Sequence, residues 1–436
     1  MLIPARPLIW FTVLVLLPSA VAVSWWPEFA RVWLFALGGF GVLLGLDALM
    51  LVATGKPHAH RIVPHALALG VRRAVTLRIE NRSRRHLRID VYDHHPNDCE
   101  IENLPQSLNL GSNGFAETSY PIRPIERGDH QFGAIELRLG SVLGFWQRRV
   151  QAGAATTIKV YPNFAALTRF ALMATDHRLS QIGILRRRRR GLGLDFQQLR
   201  EYREGDAQRQ IDWKATSRMN KLISREYQDE RDQQILIMVD CGRRMVARDD
   251  HLSHLDHVLN AALLLGYVGL RQGDAVGLMT IAGEERYLAP RKSMAAINQM
   301  VSAVYDIQPS AQMPDFYNAA VSLMVRLRKR ALVVIVSNLR DEDEETLMPA
   351  IRLLRKRHLV LVASLREAIL GQALAAPIHH PEDAATHAAA ADYLERRGRE
   401  FKRLEAAHIP CVDVEPQGLA MAMVNRYIDL KRSGRL

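Results

Sequence analysis

Residues 235–245 read Ile235-Leu-Ile-Met-Val-Asp-Cys-Gly-Arg-Arg-Met245: five apolar residues in a row that stop on a carboxylate and a glycine. So short a run, apolar at every residue and closed by turn chemistry, predicts a strand buried on both faces. Four similar runs follow, Ala275 to Ile281, Leu332 to Ser337, Leu359 to Leu365 and Ile409 to Val414. Between them Leu252, Leu255, Val258, Leu259, Ala262 and Leu263 repeat at helical spacing, as do Leu347, Ile351, Leu353 and Leu354. Leu419, Met423, Val424 and Ile428 mark a buried helix face near the C-terminus. The alternation predicts a mostly parallel sheet wrapped by helices over residues 233–436, because parallel neighbours need crossover connections. In such sheets function gathers at the carboxyl ends of the strands, which singles out the residues just after Val239 and Val336.

Upstream, residues 57–165 change period. Val75, Leu77 and Ile79 alternate with Thr76, Arg78 and Glu80; Leu87, Ile89 and Val91 do the same, as do Ile135, Leu137 and Leu139. Turn residues separate these runs at Asn81-Arg82-Ser83, Pro96-Asn97-Asp98, Gly111-Ser112-Asn113-Gly114 and Arg127-Gly128-Asp129. The expectation is a small antiparallel sandwich with no nucleophile, base or metal cluster of its own.

The first 56 residues hold two apolar runs, Leu8 to Val23 and Val32 to Ala53, the second with Asp47 as its one charge. The second is long enough to cross about 30 Å of hydrocarbon, while the first is shorter and contains Pro18. Ser19, Ala20 and Ala22 partly satisfy a signal-peptide end, but a second span follows at once, which favours a transmembrane helical hairpin. Arg6 precedes the hairpin, Arg31 lies alone at its tip, and Lys56, Arg61, Arg72 and Arg73 follow. The positive-inside rule therefore puts both ends of the hairpin, and the bulk of the chain, on the cytoplasmic side of the membrane. Trp25 and Trp26 suit an interfacial belt, and Gly41 and Gly45 form a small-x-x-x-small pair that could bring the helices together.

The whole chain has 436 residues, enough for two or three domains, and 58 Lys+Arg against 46 Asp+Glu, a net charge of +12. That balance suits an anionic partner, whether lipid, nucleic acid or acidic protein. Cys99, Cys241 and Cys411 are too few and too scattered for a disulfide framework or a cysteine zinc site, in keeping with a reducing compartment. The basic connector 166–232 carries the run Arg186 to Arg190. No aromatic platform or recognition motif accompanies it, so a solvated loop ranks first, lipid or an acidic partner second, and nucleic acid is an unlikely partner.

The same connector contains Leu199-Arg-Glu-Tyr202, Gly205-Asp206, Arg209, Ile211-Asp-Trp-Lys214 and Arg225-Glu226 immediately before the first buried strand. This run, over residues 199–245, resembles the bacterial domain-of-unknown-function-58 family. Leu143-Gly-Phe-Trp146, Val160-Tyr-Pro162 and Arg127-Gly128 are similar to that family's upstream β module. The resemblance implies a membrane anchor, a C-terminal von Willebrand factor A-like (Rossmann-like) domain and association with a MoxR-type AAA+ ATPase. It implies an adaptor or scaffold in assembling or remodelling an envelope or metalloprotein complex. Read from the residues alone, Asp206 suits a turn or helix cap, and Ile211 and Trp213 have strand-like spacing. Arg209, Lys214 and Arg225 offer cations to Glu201, Glu204 and Asp212. A polar hinge and a partner-docking surface both fit this pattern, which makes Arg209, Asp212, Trp213 and Lys214 partner-binding candidates.

The resemblance also implies a test. Von Willebrand factor A-like domains commonly hold a divalent cation with Asp-x-Ser-x-Ser after the first strand, a Thr and a later Asp, all hard oxygen donors. Here Asp240 remains, Gly242 and Arg244 replace the hydroxyl residues, Met313-Pro314-Asp315 stands where the Thr is expected, and Asn338 follows the later strand. These degenerate positions, Asp240, Gly242, Arg244, Pro314 and Asn338, predict no metal and no other cofactor. Asp315 and Asp341 are the carboxylates that would rescue a site, and with Arg244 they complete the partner-binding candidates. No phosphate loop, Gly-x-Ser-x-Gly elbow or His-Glu-x-x-His is present, and His94-His95 and His379-His380 lie in Pro-bounded loops. The expectation is therefore a multi-domain, non-enzymatic, membrane-tethered interaction scaffold. A metal-dependent binder or hydrolase using the sheet edge is the alternative.

Overall fold

The computed structural model describes all residues except 26–29, 164–194, 204–207, 209–210, 229–232 and 250. Trp26, the Arg186 to Arg190 run, Glu204, Asp206 and Arg209 lie outside the described residues. Two compact units emerge, Met1–Tyr161 and Pro162–Leu436.

The first unit begins with a short strand, β1 (Leu2–Pro4), then α1 (Arg6–Trp25) and α2 (Ala30–Ala53), both long and apolar enough to cross a membrane. Most of their apolar side chains, among them Trp10, Leu14, Leu17, Phe35, Leu46 and Leu49, point away from protein. Gly41 and Gly45 do not form a helix seam: a Cβ on either would meet nothing within 4 Å. The hairpin is joined instead by Phe11 and Phe40, stacked with centroids 6.4 Å apart.

Eleven strands follow: β2 (His58–Ile62), β3 (Ala66–Ala68), β4 (Arg73–Glu80), β5 (Leu87–Asp93), β6 (Cys99–Ile101), β7 (Gln106–Leu110), β8 (Phe115–Pro124), β9 (Gly128–Phe132), β10 (Ile135–Gly140), β11 (Trp146–Ala152) and β12 (Thr156–Tyr161). They form antiparallel sheets β1-β11-β10-β5-β7 and β2-β4-β8-β6, with a third, β3-β12-β9, in which β3 and β12 run parallel. The expected alternation holds: Val75, Leu77 and Ile79, then Ile89 and Val91, then Ile135, Leu137 and Leu139 are all buried. Asp93 on β5 ties the two larger sheets, accepting from Tyr120 Oη of β8 at 2.6 Å and from Arg61 Nε of β2 at 2.9 Å. Burial and this carboxylate push the Tyr120 phenol far above its ordinary pKa.

The second unit opens with the antiparallel pair β13 (Asp195–Glu201) and β14 (Ile223–Gln228), with α3 (Trp213–Met219) between them. Its main body contains β15 (Gln234–Asp240), the short pair β16 (Arg248–Asp249) and β17 (Leu252–Ser253), α4 (His254–Arg271), β18 (Ala275–Ile281), β19 (Tyr287–Arg291), α5 (Ala295–Val304), α6 (Phe316–Arg326), β20 (Ala331–Ser337), α7 (Glu344–Leu354), β21 (Leu359–Leu365), α8 (Ala368–Ala375), α9 (Pro381–Ala406), β22 (Cys411–Val414) and α10 (Pro416–Arg432). The sheet order is β19-β18-β15-β20-β21-β22, parallel throughout except for the edge strand β19.

Side chains alternate across this sheet into two cores. Ile235, Ile237 and Val239 pack with α4, α5 and α10, and Leu236 and Met238 pack with α6, α7 and α9. Two buried faces explain why the strands read as unbroken apolar runs. Ser253 and Asp256 begin α4 with a reciprocal cap, each side chain accepting the other's backbone N–H. Because β15 has β18 on one side and β20 on the other, the crevice of the doubly wound sheet opens at the carboxyl ends of β15 and β20.

Candidate functional site

At that crevice β15 ends on Asp240, which is fully buried. Its Oδ1 accepts the Gly242 N–H at 2.7 Å and its Oδ2 accepts the Ser337 hydroxyl at 2.6 Å. Burial pushes its pKa up to about 6, against the opposing pull of those two donors. The backbone must turn tightly here: a Cβ on Gly242 would stand 2.8 Å from the Gln312 carbonyl and 3.2 Å from Pro314 Cδ. The Gly242 loop and the 312–314 loop are thus in contact, joined also by Arg243 N–H to Gln312 O at 3.0 Å.

Arg244 follows on a short 3-10 turn, Arg243–Val246, with its guanidinium buried. It pairs with Asp343, with Glu342 Oε2 at 3.1 Å, and donates to the Asn338 carbonyl at 3.4 Å. Burial opposes its charge, but Asp343 and Glu342 more than restore it and raise its pKa. Beside it lies a second buried guanidinium that the sequence does not advertise. Arg397 of α9 donates to Asn338 Oδ1 (3.1 Å), Leu339 O (2.5 Å), Ser364 Oγ (2.7 Å), Leu365 O (2.7 Å) and Asp413 Oδ1 (2.7 Å). The Asn338 amide donates in turn to Glu367 Oε1 at 2.6 Å. Burial would raise the Glu367 carboxyl, but Asn338, its own backbone N–H, Arg397 and Arg340 hold it below its ordinary value.

These groups do not make a hard-cation site, which needs several free oxygens. Both Asp240 oxygens are engaged, Gly242 and Pro314 bring no donor side chain, Asn338 is used at both ends, and Arg244 brings a positive charge. Asp315 caps α6, with Oδ1 accepting the Asn318 N–H at 2.9 Å and Oδ2 its amide at 2.7 Å. Asp341 opens the short turn Asp341–Asp343 before α7. A cavity of about 20 Å³ lies alongside, lined in part by Leu339, Arg340, Arg397 and Phe401, with room for a water molecule rather than a substrate.

The connector candidates behave differently from their spacing. Trp213 is not a strand anchor: Asp212 caps α3 by accepting the Ala215 N–H at 3.1 Å, so Trp213 starts a helix and is 68% exposed. Ile211 makes an isolated bridge to Ser224. Lys214 is exposed, and Glu201 pairs with Lys221 at 3.0 Å. Of the paired histidines, His94 Nε2 meets Glu136 at 3.2 Å, while the backbone N–H groups of His379 and His380 both donate to Asp383.

The elevated Asp240 pKa gives a direct test. The folded state holds this proton more tightly than the unfolded chain, so the group adds stability as pH falls from above 6 towards 4 and removes it on the way back. Asp240→Asn, which keeps an acceptor for Gly242 and presents a donor to the Ser337 oxygen, is expected to raise stability at pH 7.5 by up to about 3 kcal/mol and to leave pH 4 unchanged. Thermal unfolding of both proteins at the two pH values checks it.

A curated relative, "Uncharacterized protein YeaD" of Bacillus subtilis (strain 168), is 23% identical over 176 residues, covering 39% of this chain and 40% of its own length. The chain therefore aligns with less than half of that relative. Salmonella alpha-2-macroglobulin reacted with methylamine overlaps 24% of this chain and 7% of its own, at 20% identity and a TM-score of 0.19. The FixG-related protein from Vibrio parahaemolyticus overlaps 24% of this chain and 97% of its own, at 10% identity and a TM-score of 0.19. Those two overlaps are too slight to assign a fold or a function. The connector motif, the buried strand with its Asp240 turn and the sheet strands as far as β21 lie within residues 198–408, the stretch that matches the model of the family described as "Protein of unknown function DUF58".

Proposed function

We propose that the chain is a membrane-tethered interaction scaffold whose C-terminal unit is von Willebrand factor A-like and binds other proteins without turning over a substrate. The hairpin sits in the bacterial cytoplasmic membrane, with both ends and both remaining modules on the cytoplasmic side, as the Lys and Arg distribution supports. Its partner is a MoxR-type AAA+ ATPase, and its role is adaptor in assembling or remodelling an envelope or metalloprotein complex.

One observation carries this reading. Asp240, Arg244, Asp343 and Arg397 at the carboxyl edge of the sheet are engaged internally, while the adjoining loop and helix expose apolar side chains. Met313 precedes α6, and Tyr317, Val321 and Val325 repeat every four residues along it, all exposed. The edge and this stripe are continuous through Arg243 and Gln312. An edge saturated in this way favours recognition over acid–base or metal chemistry, and an apolar stripe rimmed by charge suits a protein partner.

The test is crosslinked capture from membranes, read by mass spectrometry, for wild type and Val321→Glu/Val325→Glu. The wild type is expected to capture the ATPase, and the double variant to lose at least about tenfold of it, the effect of removing a modest hot spot. Equal capture by a folded double variant sinks the proposal. Stoichiometric Mg2+ uptake or turnover by the purified protein would support the metal-dependent alternative instead.

A further inference from the structure

The loop between β10 and β11 is fastened to the membrane hairpin. Leu143 N–H donates to Asp47 Oδ1 at 3.1 Å, Trp146 Nε1 donates to the Leu44 carbonyl at 3.1 Å, and Phe145 packs edge-on against Phe11 and Phe40. Arg148 reaches the end of α2, donating to the carbonyls of Val52 (3.1 Å) and Thr54 (2.9 Å). Asp47 and Leu44 precede Ala53, the last residue of α2, by six and nine positions, which is roughly 9 and 14 Å along the axis. The helix has 24 residues, about 36 Å, against about 30 Å of hydrocarbon. A loop tied that far along it reaches the edge of the hydrocarbon, where its exposed Val142 (75%) and Leu143 (52%) meet lipid.

Beside this loop opens a cleft of about 740 Å³ lined by both apolar and charged groups. Met50 and Leu51 of α2, with Val142 and Leu143, are part of its apolar lining. Arg85, Arg88 and Arg138 supply cations to it, opposed by Asp90. Arg85 is steered towards the helix end by a 3.4 Å hydrogen bond to the Met50 carbonyl, Arg138 is shared with Glu136, and Asp90 accepts the Ser107 hydroxyl. Arg88 is exposed. Guanidinium groups sharing a cleft with apolar side chains at the end of α2 match a phosphodiester carrying acyl chains.

We infer that this cleft binds an anionic phospholipid, its phosphate between Arg85 and Arg88 and its glycerol and first methylenes against Met50 and Leu143. The inference rests on the reading that the hairpin spans the membrane. It makes the β module a lipid-reading collar rather than a passive spacer.

The full chain, purified in neutral detergent, is titrated with phosphatidylglycerol, phosphatidylcholine or inorganic phosphate and followed by native mass spectrometry. Phosphatidylglycerol is expected to be retained about tenfold or more over phosphatidylcholine, with inorganic phosphate at equal concentration failing to displace it. Arg88→Gln is expected to weaken phosphatidylglycerol retention about fivefold, the usual effect of one basic side chain at an anionic surface. Arg85→Gln/Arg88→Gln should bring it to the phosphatidylcholine level. Equal retention of the two lipids, displacement by free phosphate, or unchanged retention in the double variant overturns the inference. Alkaline extraction of membranes separates the two ideas: release of the chain refutes the spanning hairpin, whereas a retained chain without lipid preference refutes the cleft alone.

Discussion

Replacing Arg397 by alanine is expected to destabilise the α/β unit by about 3–5 kcal/mol, the range seen when one partner of a buried charge pair is removed. At the usual slope for a domain this size, the unfolding midpoint falls by roughly 10 °C. The reason is the number of groups left behind. The Asp413 carboxylate, the Asn338 side chain, the Ser364 hydroxyl and the carbonyls of Leu339 and Leu365 all lose a donor at once. They belong to the ends of β20, β21 and β22, so a single side chain from α9 closes three strand ends. Arg397→Lys keeps the charge but not the planar fork, and should recover only part of the loss. Scanning calorimetry of the full chain in detergent reads both variants. A midpoint shift below about 2 °C for Arg397→Ala would mean the strand ends are held by something else.

Arg244→Ala is expected to cost about 3 kcal/mol at neutral pH, because it strands the buried carboxylate of Asp343 and withdraws a favourable charge from Asp240. Glu342 is half exposed and is relieved by water, so it adds little. With Arg244 gone the Asp240 carboxyl titrates above its present value of about 6, and the rise in stability on acidification from pH 7 to 5 becomes steeper than in the wild type. Arg244→Met/Asp343→Leu removes both halves of the pair and should recover most of the loss, since well-packed apolar replacements of buried pairs are often neutral. Urea unfolding at the two pH values distinguishes these outcomes. A double variant no better than Arg244→Ala would show that the guanidinium acts through Asn338 or the turn rather than through its ion pair.

How much of this was legible in the sequence follows from how local each cause is. Ala275–Ile281 and Leu359–Leu365 read true to their ends because burial on both faces writes itself as an unbroken apolar run. The β module is legible for the opposite reason, one buried face giving strict alternation at Val75, Leu77 and Ile79. Trp213 was misread because a two-residue spacing looks like a strand until the Asp212 cap is taken into account. Arg397 gave no signal at all. It lies in a helix rich in Ala, Glu and Arg, and its partners are 16 to 59 positions away. Asp47 was conspicuous as the one charge in an apolar run, yet its role depends on Leu143, 96 residues on.

The pairing of Leu2–Pro4 with Trp146–Arg148 has a chronological consequence. The ribosome makes the first strand of that sheet before either apolar helix and its neighbour only after most of the β module has emerged. The first strand must therefore wait, unpaired, while both helices and most of the β module are made. Until that neighbour arrives the growing sheet keeps an open border, so a chain whose synthesis halts before Trp146 would leave Leu2–Pro4 free to pair with a stray strand.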